Sequence, residues 1–145
     1  MAKNFTIVNE GNISYNMRTL EKASATVIAP GSLVEVDSWG LAIIGTATAA
    51  LVAYCPMGWV AWETSIQVIS NPEVTFKGTA SWNYAKANRN VMYEIAVSTY
   101  AQTINLSWVT KPVARILAST EANNGVAVGA TPVVFKIPAS YHLFG

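Results

Sequence analysis

The sequence contains few of the residue types on which catalysis and metal binding depend. It has one histidine, one cysteine and one aspartate among 145 residues, and its seven glutamates are scattered. A single Cys and a single His cannot form an internal disulfide or a zinc ligand set. Acid–base catalysis needs paired titratable groups, and no GxGxxG, P-loop or HExxH motif is present. We therefore expect no metal, no cofactor and no enzymatic activity.

Cys55 and His142 are the one pair that could be read as a nucleophile with its base. Nucleophilic catalysis also needs a third group that orients the imidazole, and no candidate for that role stands out. The sequence favours Cys55 as a small buried hydrophobe and His142 as part of an aromatic C-terminal tail.

Charge is also scarce, because only 12% of the residues are charged and the net charge is +1. A typical soluble domain has about 25% charged residues. Nucleic acid is an unsuitable partner, since binding to phosphate depends on clustered Lys and Arg. An uncharged surface of this extent favours association, so we expect other protein to cover much of it. The N-terminus does not resemble a signal peptide, which favours production in a cytosol.

Residues 38–62 form a stretch of twenty-five residues without a formal charge. About twenty apolar residues can cross a bilayer, but no Lys or Arg flanks this stretch, and we therefore expect no membrane association. Gly45 and the sequence Pro-Met-Gly at 56–58 divide it into short strands rich in β-branched and aromatic residues. Such strands are covered on both faces, by another sheet, a neighbouring subunit or both.

Apolar residues alternate with a period of two along most of the chain. The pattern predicts a hairpin over residues 90–109 with its turn near 101–102, and an Asn-Gly turn at 123–125 before the closing strands. Residues 111–120 fit a strand or a helix and are interpreted as a strand, whereas Asn16 could cap a helical turn over 17–22.

About ten short strands with little helix indicate an all-β fold, a compact sandwich or small barrel of β-tulip-like form. We interpret residues 17–145 as one β domain and residues 1–16 as an extended N-terminal arm or first hairpin. A free arm would add a strand to a neighbouring protein. The alternative is that it forms the first strand of the domain's own sheet. The alternating apolar residues of the arm are Phe5, Ile7, Ile13 and Tyr15.

Five tryptophans are many for this length, and aromatic residues are preferred anchors of interfaces. They lie at positions 39, 59, 62, 82 and 108. Trp39 and Trp59 adjoin glycines at strand ends and fit an interface or a core equally well, while core positions are expected for the tryptophans at 62 and 108. Trp82 and Tyr84 could present rings to a sugar or a single strand of nucleic acid, although a solvated loop or a subunit contact is favoured.

Four segments resemble those of the small capsid-decoration (cement) proteins of tailed bacteriophages, in the style of the lambdoid head-decoration protein. They are APGSLVEVD at 29–37, IIGTATAALVAY at 43–54, KPVARIL at 111–117 and NNGVAVGATPVVFKI at 123–137. The resemblance covers less than half of the chain and is compositional. The segment at 62–90 is an addition relative to the smaller family members.

The resemblance implies a virion structural protein on the outer surface of the capsid, made in the host cytoplasm. Such proteins are compact β domains, often homotrimers, that bridge neighbouring subunits of the major capsid protein and stabilise the shell. The expected partners are thus the major capsid protein and further copies of the chain. A second class remains open, a soluble β-sandwich binding module that is carbohydrate-binding or associated with a tail or fibre.

Overall fold

The computed structural model describes residues 3–8, 17–24, 26–59, 63–80, 88–106, 111–119 and 131–144. These residues form eleven strands and one short 3-10 helix, which confirms the all-β prediction. The strands are β1 (Thr6–Ile7), β2 (Met17–Glu21), β3 (Ser32–Val36), β4 (Ala42–Ile44), β5 (Ala53–Cys55), β6 (Ser65–Ile69), β7 (Thr75–Ala80), β8 (Met92–Ser98), β9 (Ala101–Asn105), β10 (Ala114–Ser119) and β11 (Thr131–Lys136), and the 3-10 helix is Ala139–Tyr141.

The first sheet closes into a five-stranded barrel in the order β7-β11-β10-β8-β9, with β9 pairing back to β7. The closing contact is parallel and joins Ala80 to Ile104, whereas the other pairs within the barrel are antiparallel. The same edge of β7 also pairs with β1, opposite Phe76 and Lys77. Both edges of β7 therefore form backbone pairs, with β11 on one side and with β1 and β9 on the other. Because the sheet is closed, the barrel has no long unpaired strand edge.

The hairpin predicted over 90–109 is confirmed as β8 and β9, but its turn lies two residues earlier than expected. Ser98 pairs with Ala101, so the turn residues are Thr99 and Tyr100. Thr99 has a φ of +59°, as a tight two-residue hairpin turn requires. Residues 114–119 are a strand, in agreement with the interpretation of that ambiguous segment, and the turn predicted at 123–125 lies outside the described residues.

The second sheet has the order β2-β6-β5-β3-β4, and its two edges meet where Lys22 bridges Ala42. The helical turn predicted over 17–22 is wrong, because Met17–Glu21 is strand β2 and pairs along its whole length with β6. A capping residue is only a local signal. Five consecutive residue pairs with a strand almost fifty residues away outweigh it.

The uncharged stretch contributes β4 and β5, and breaks at Gly45 and at residues 56–58 separate its strands as predicted. Successive residues here enter two different cores. Tyr54 belongs to the core of the barrel, whereas its neighbours Ala53 and Cys55 belong to the core of the second sheet. Side chains alternate across a strand, so a strand between two cores needs apolar residues on both faces. The chain's own barrel thus covers the second face.

Residues 3–8 contain β1 and pack within the domain, as in the alternative to a free arm, in which this segment supplies the first strand of the domain's own sheet. Phe5 is completely buried, its N–H donates to the Gly31 carbonyl at 3.0 Å, and its carbonyl accepts from the Tyr54 hydroxyl at 2.7 Å. Gly31 has a φ of +73°, and a Cβ there would lie 2.3 Å from the Phe5 carbonyl oxygen. Only glycine allows this close approach. The rest of the predicted arm, residues 9–16, lies outside the described residues.

A buried amide joins the barrel to the second sheet. Gln102 of β9 is 3% exposed, and its side-chain oxygen accepts from the Leu33 N–H at 2.8 Å. Its side-chain nitrogen donates to the carbonyls of Leu33 and Gly45 at 2.8 and 2.9 Å. The Gln102 backbone N–H donates to the side chain of Asn4 at 3.0 Å. One side chain of the barrel therefore satisfies backbone groups at two neighbouring positions of the second sheet.

The C-terminal residues pair with Val52, which lies directly before β5, instead of extending into solvent. Val52 donates to the Tyr141 carbonyl at 2.9 Å and accepts from the Leu143 N–H at 2.8 Å. Between them, the His142 ring is buried with its Nε2 2.7 Å from the Ile137 carbonyl, while its Nδ1 has no hydrogen-bond partner among the described residues. Nε2 therefore carries the proton and donates it to Ile137.

Acidification is expected to weaken the fold through His142. Burial lowers the pKa of His142 below its ordinary value of 6.5, and the hydrogen bond to Ile137 opposes this only in part. The unfolded chain therefore takes up a proton first, so stability is retained above pH 6.5 and falls as the pH decreases below it. Urea unfolding at several pH values checks this. In His142→Gln the loss below pH 6.5 should shrink, and an unchanged loss in that variant would contradict the assignment.

Candidate functional site

The turn between β3 and β4 presents the most exposed large apolar side chain of the described residues. Trp39 is 84% exposed. The Asp37 carboxylate accepts from the N–H groups of Trp39 and Leu41 at 2.9 and 3.0 Å, and the Asp37 N–H donates to the Leu41 carbonyl at 2.9 Å. Gly40 has a φ of +78° and donates to the Asp37 carbonyl at 3.0 Å. Four hydrogen bonds therefore fix the backbone that carries an indole into solvent.

An exposed indole on a fixed turn has the properties of an interface anchor. Tryptophan buries a large area with only two rotatable side-chain bonds, and tryptophans are enriched among residues that dominate binding energy. The turn is already ordered in the free chain, so binding costs little backbone entropy. The next most exposed large apolar side chain of the described residues is Met57, at 69%.

Trp59 is half-buried and packs on the core of the second sheet. Its backbone N–H donates to the Ile28 carbonyl at 2.8 Å, and its indole N–H donates to the Glu63 carbonyl at 2.9 Å. The Lys22 ammonium lies 4.5 Å from the centre of the ring, within the range of a cation–π contact. Trp59 is thus held in place from three sides, unlike Trp39.

The other predicted interface residues are not brought together with the two tryptophans. Phe5 is fully buried in the barrel, so the prediction of an exposed interface side chain is wrong there, and Ile7 is partly buried against the same core. Ile13 and Tyr15 lie outside the described residues, as do Trp82 and Tyr84. The alternation of apolar and polar residues cannot by itself distinguish a strand that pairs within its own chain from one that pairs with another protein.

A pocket of about 630 Å³ lies where the edges of the second sheet meet. Its rim consists of exposed polar residues and its inner part of half-buried or buried ones. The lining residues are Glu21, Lys22, Ser24, Leu41, Trp59, Glu63 and Thr64. Leu41 belongs to the turn that carries Trp39, so the exposed indole and the pocket share one structural element.

Cys55 and His142 are not arranged as a nucleophile and its base. Burial raises the pKa of Cys55 to about 11, despite a backbone hydrogen bond from Gly58, so the thiol stays protonated at neutral pH. Among the described residues, no hydrogen bond joins the two side chains, and His142 instead bonds to Ile137.

The described ranges contain no group of three His, Cys, Asp or Glu residues placed to hold a metal ion. In the same part of the chain, no helix has the length and apolar character needed to span a membrane.

No sequence pattern singled out two buried polar residues, Lys22 in the pocket and Gln102 between the barrel and the second sheet. Lys22 is only 8% exposed, and its ammonium donates to the carbonyls of Ala23 and Thr26 at 2.6 and 2.8 Å. From the sequence, Lys22 is expected in a helical turn and Gln102 in the turn of a hairpin. Their carbonyl partners come from the folded backbone, so no side-chain motif marks them in advance.

No protein-family model, curated protein or solved structure matches this chain.

Proposed function

We propose that this chain is a structural protein of a tailed-phage virion, which decorates the outer surface of the capsid and stabilises it by bridging neighbouring major capsid protein subunits. It acts by binding and not by catalysis. The observation that carries the proposal is Trp39, 84% exposed on a turn fixed by four hydrogen bonds. The resemblance of four segments to decoration proteins and the low fraction of charged residues support the same function.

The contact with the shell is apolar in this proposal. Burial of the indole in a pocket of the shell protein supplies affinity without charge pairing, so high salt should weaken binding little. At about 1 M salt the Debye length is only about 3 Å, and a contact based on surface charge would be largely lost. Copies of the chain associate as a homotrimer, so that each assembly places several Trp39 turns on neighbouring shell subunits.

Replacing Trp39 by alanine is expected to weaken shell binding by a factor of about 30 or more, since anchors of this type contribute about 2 kcal/mol or more. The fold should be unaffected, because the side chain is 84% exposed. Cosedimentation of the purified chain with shells that lack it measures the affinity, and the thermal midpoint reports on the fold.

Ser38→Ala is the matched control for this experiment, because Ser38 is an exposed residue of the same turn. It should bind as the wild type does. Wild-type affinity in Trp39→Ala, with shell binding otherwise intact, would overturn the assignment of the turn as the anchor.

The second candidate is a soluble β-sandwich binding module, and the pocket beside Trp59 is the observation that favours it. Solution mass separates the two candidates. A decoration protein is expected as a trimer that binds shells, whereas a binding module should stay monodisperse and show no affinity for them.

A further inference from the structure

The pocket at the edge of the second sheet has the construction of a small-ligand site. Its volume of about 630 Å³ lies within the range of about 300–1,000 Å³ typical of such sites. Trp59 is fixed by two hydrogen bonds and by the Lys22 ammonium, so the wall of the pocket is formed before any ligand arrives.

The polar groups of the rim can accept hydrogen bonds from a ligand. Glu21 and Glu63 are exposed lining residues, and their carboxylates form no ion pair or hydrogen bond within the described part of the chain. The hydroxyls of Ser24 and Thr64 add groups that both donate and accept. The half-buried side chains of Leu41 and Trp59 supply apolar surface between them.

The charged side chains that line the pocket exclude an anionic ligand and disfavour a cationic one. An anion would meet two carboxylates, and the Lys22 ammonium already donates to two carbonyls. A cation would be attracted by Glu21 and Glu63, but Lys22 already lies over the Trp59 ring and would repel it. A neutral ligand with many hydroxyl groups meets neither difficulty, because it donates to the carboxylates and packs its C–H groups on the apolar wall.

We propose that this pocket binds a neutral saccharide of one to three rings. The hydroxyl groups of the sugar donate to Glu21 and Glu63, and the less polar edge of a ring packs against Leu41 and Trp59. Trp39, the anchor of the proposed shell contact, does not line the pocket, although Leu41 of the same turn does. Saccharide binding is therefore a property of the free chain and is tested without shells.

The test is an NMR titration of the full-length ¹⁵N-labelled chain with neutral trisaccharides built from glucose, mannose, galactose or N-acetylglucosamine. We expect at least one of them to bind saturably with a dissociation constant of about 1 mM or tighter. The shifted signals should be the Trp59 indole N–H and the backbone amides of Glu63 and Thr64. Spermidine, a cation without sugar chemistry, is titrated in parallel.

Glu63→Gln is expected to weaken saccharide binding about tenfold or more, because hydrogen bonds to a charged acceptor are among the strong ones. Glu73→Gln removes the same charge from an exposed position that does not line the pocket and should leave the affinity unchanged. Three results would overturn the proposal: no saturable shift with any trisaccharide, equal weakening by the two variants, or saturable binding of spermidine alone.

Discussion

Replacing Phe5 by alanine is expected to lower the free energy of unfolding by about 3–5 kcal/mol, the usual cost of removing a buried phenylalanine. The side chain has no exposed surface, and its ring packs edge-on against Phe135 at a centroid distance of 5.1 Å. Gly78 leaves the space for it, since a Cβ there would lie 2.3 Å from the Phe5 ring. A domain stable by about 5–15 kcal/mol loses a large share of its stability in this way. Urea unfolding of the wild type and of Phe5→Ala measures this difference in the free energy of unfolding.

Val8→Ala is the control for the same segment, because Val8 is 50% exposed and its replacement should cost well under 1 kcal/mol. Deletion of residues 1–8 should then prevent folding rather than release a soluble domain that no longer binds shells. Wild-type stability in Phe5→Ala would show instead that residues 3–8 are a detachable arm.

Gln102→Leu is expected to destabilise the chain by about 2–4 kcal/mol. The substitution keeps a side chain of similar size but leaves the Leu33 N–H and the Gly45 carbonyl without the partner that they have in the wild type. Each unpaired buried group costs about 1–3 kcal/mol. The Leu33 carbonyl is affected less, since it also accepts from the Gly45 N–H at 2.8 Å.

Gln67→Leu is the matched control, because Gln67 is an exposed glutamine of β6 whose side chain donates to the Thr19 hydroxyl. Its replacement should change the free energy of unfolding by no more than about 0.5 kcal/mol. If both glutamine variants unfold at the same urea concentration as the wild type, Gln102 does not join the barrel to the second sheet.

The sequence predicted the strands of the uncharged stretch well because burial on both faces leaves a strong signal. Tyr54 enters the core of the barrel, whereas Ala53 and Cys55 enter the core of the second sheet, so every residue of β5 is buried and uncharged. What covers the second face could not be read from the sequence. An apolar strand has the same composition whether its neighbour is a sheet of the same chain or another subunit.

The candidate site was only partly predictable for a similar reason. Trp39 and Trp59 both adjoin glycines at strand ends, and nothing local separates them. Trp59 is held by Lys22 and by the Glu63 carbonyl, whereas Trp39 donates to Asp37 through its backbone N–H. These partners come together only in the folded chain, so the exposed anchor could not be distinguished from the supporting residue beforehand.

The central claim, that this chain decorates a phage capsid through the Trp39 turn, is tested most directly by electron cryomicroscopy of the virion whose genome encodes it. We expect density for copies of this 15.5 kDa chain on the outer surface of the shell. The turn containing Trp39 should face the major capsid protein, at a boundary between its subunits. Absence of the chain from purified particles, or a bound chain whose Trp39 turn points into solvent, would contradict the account.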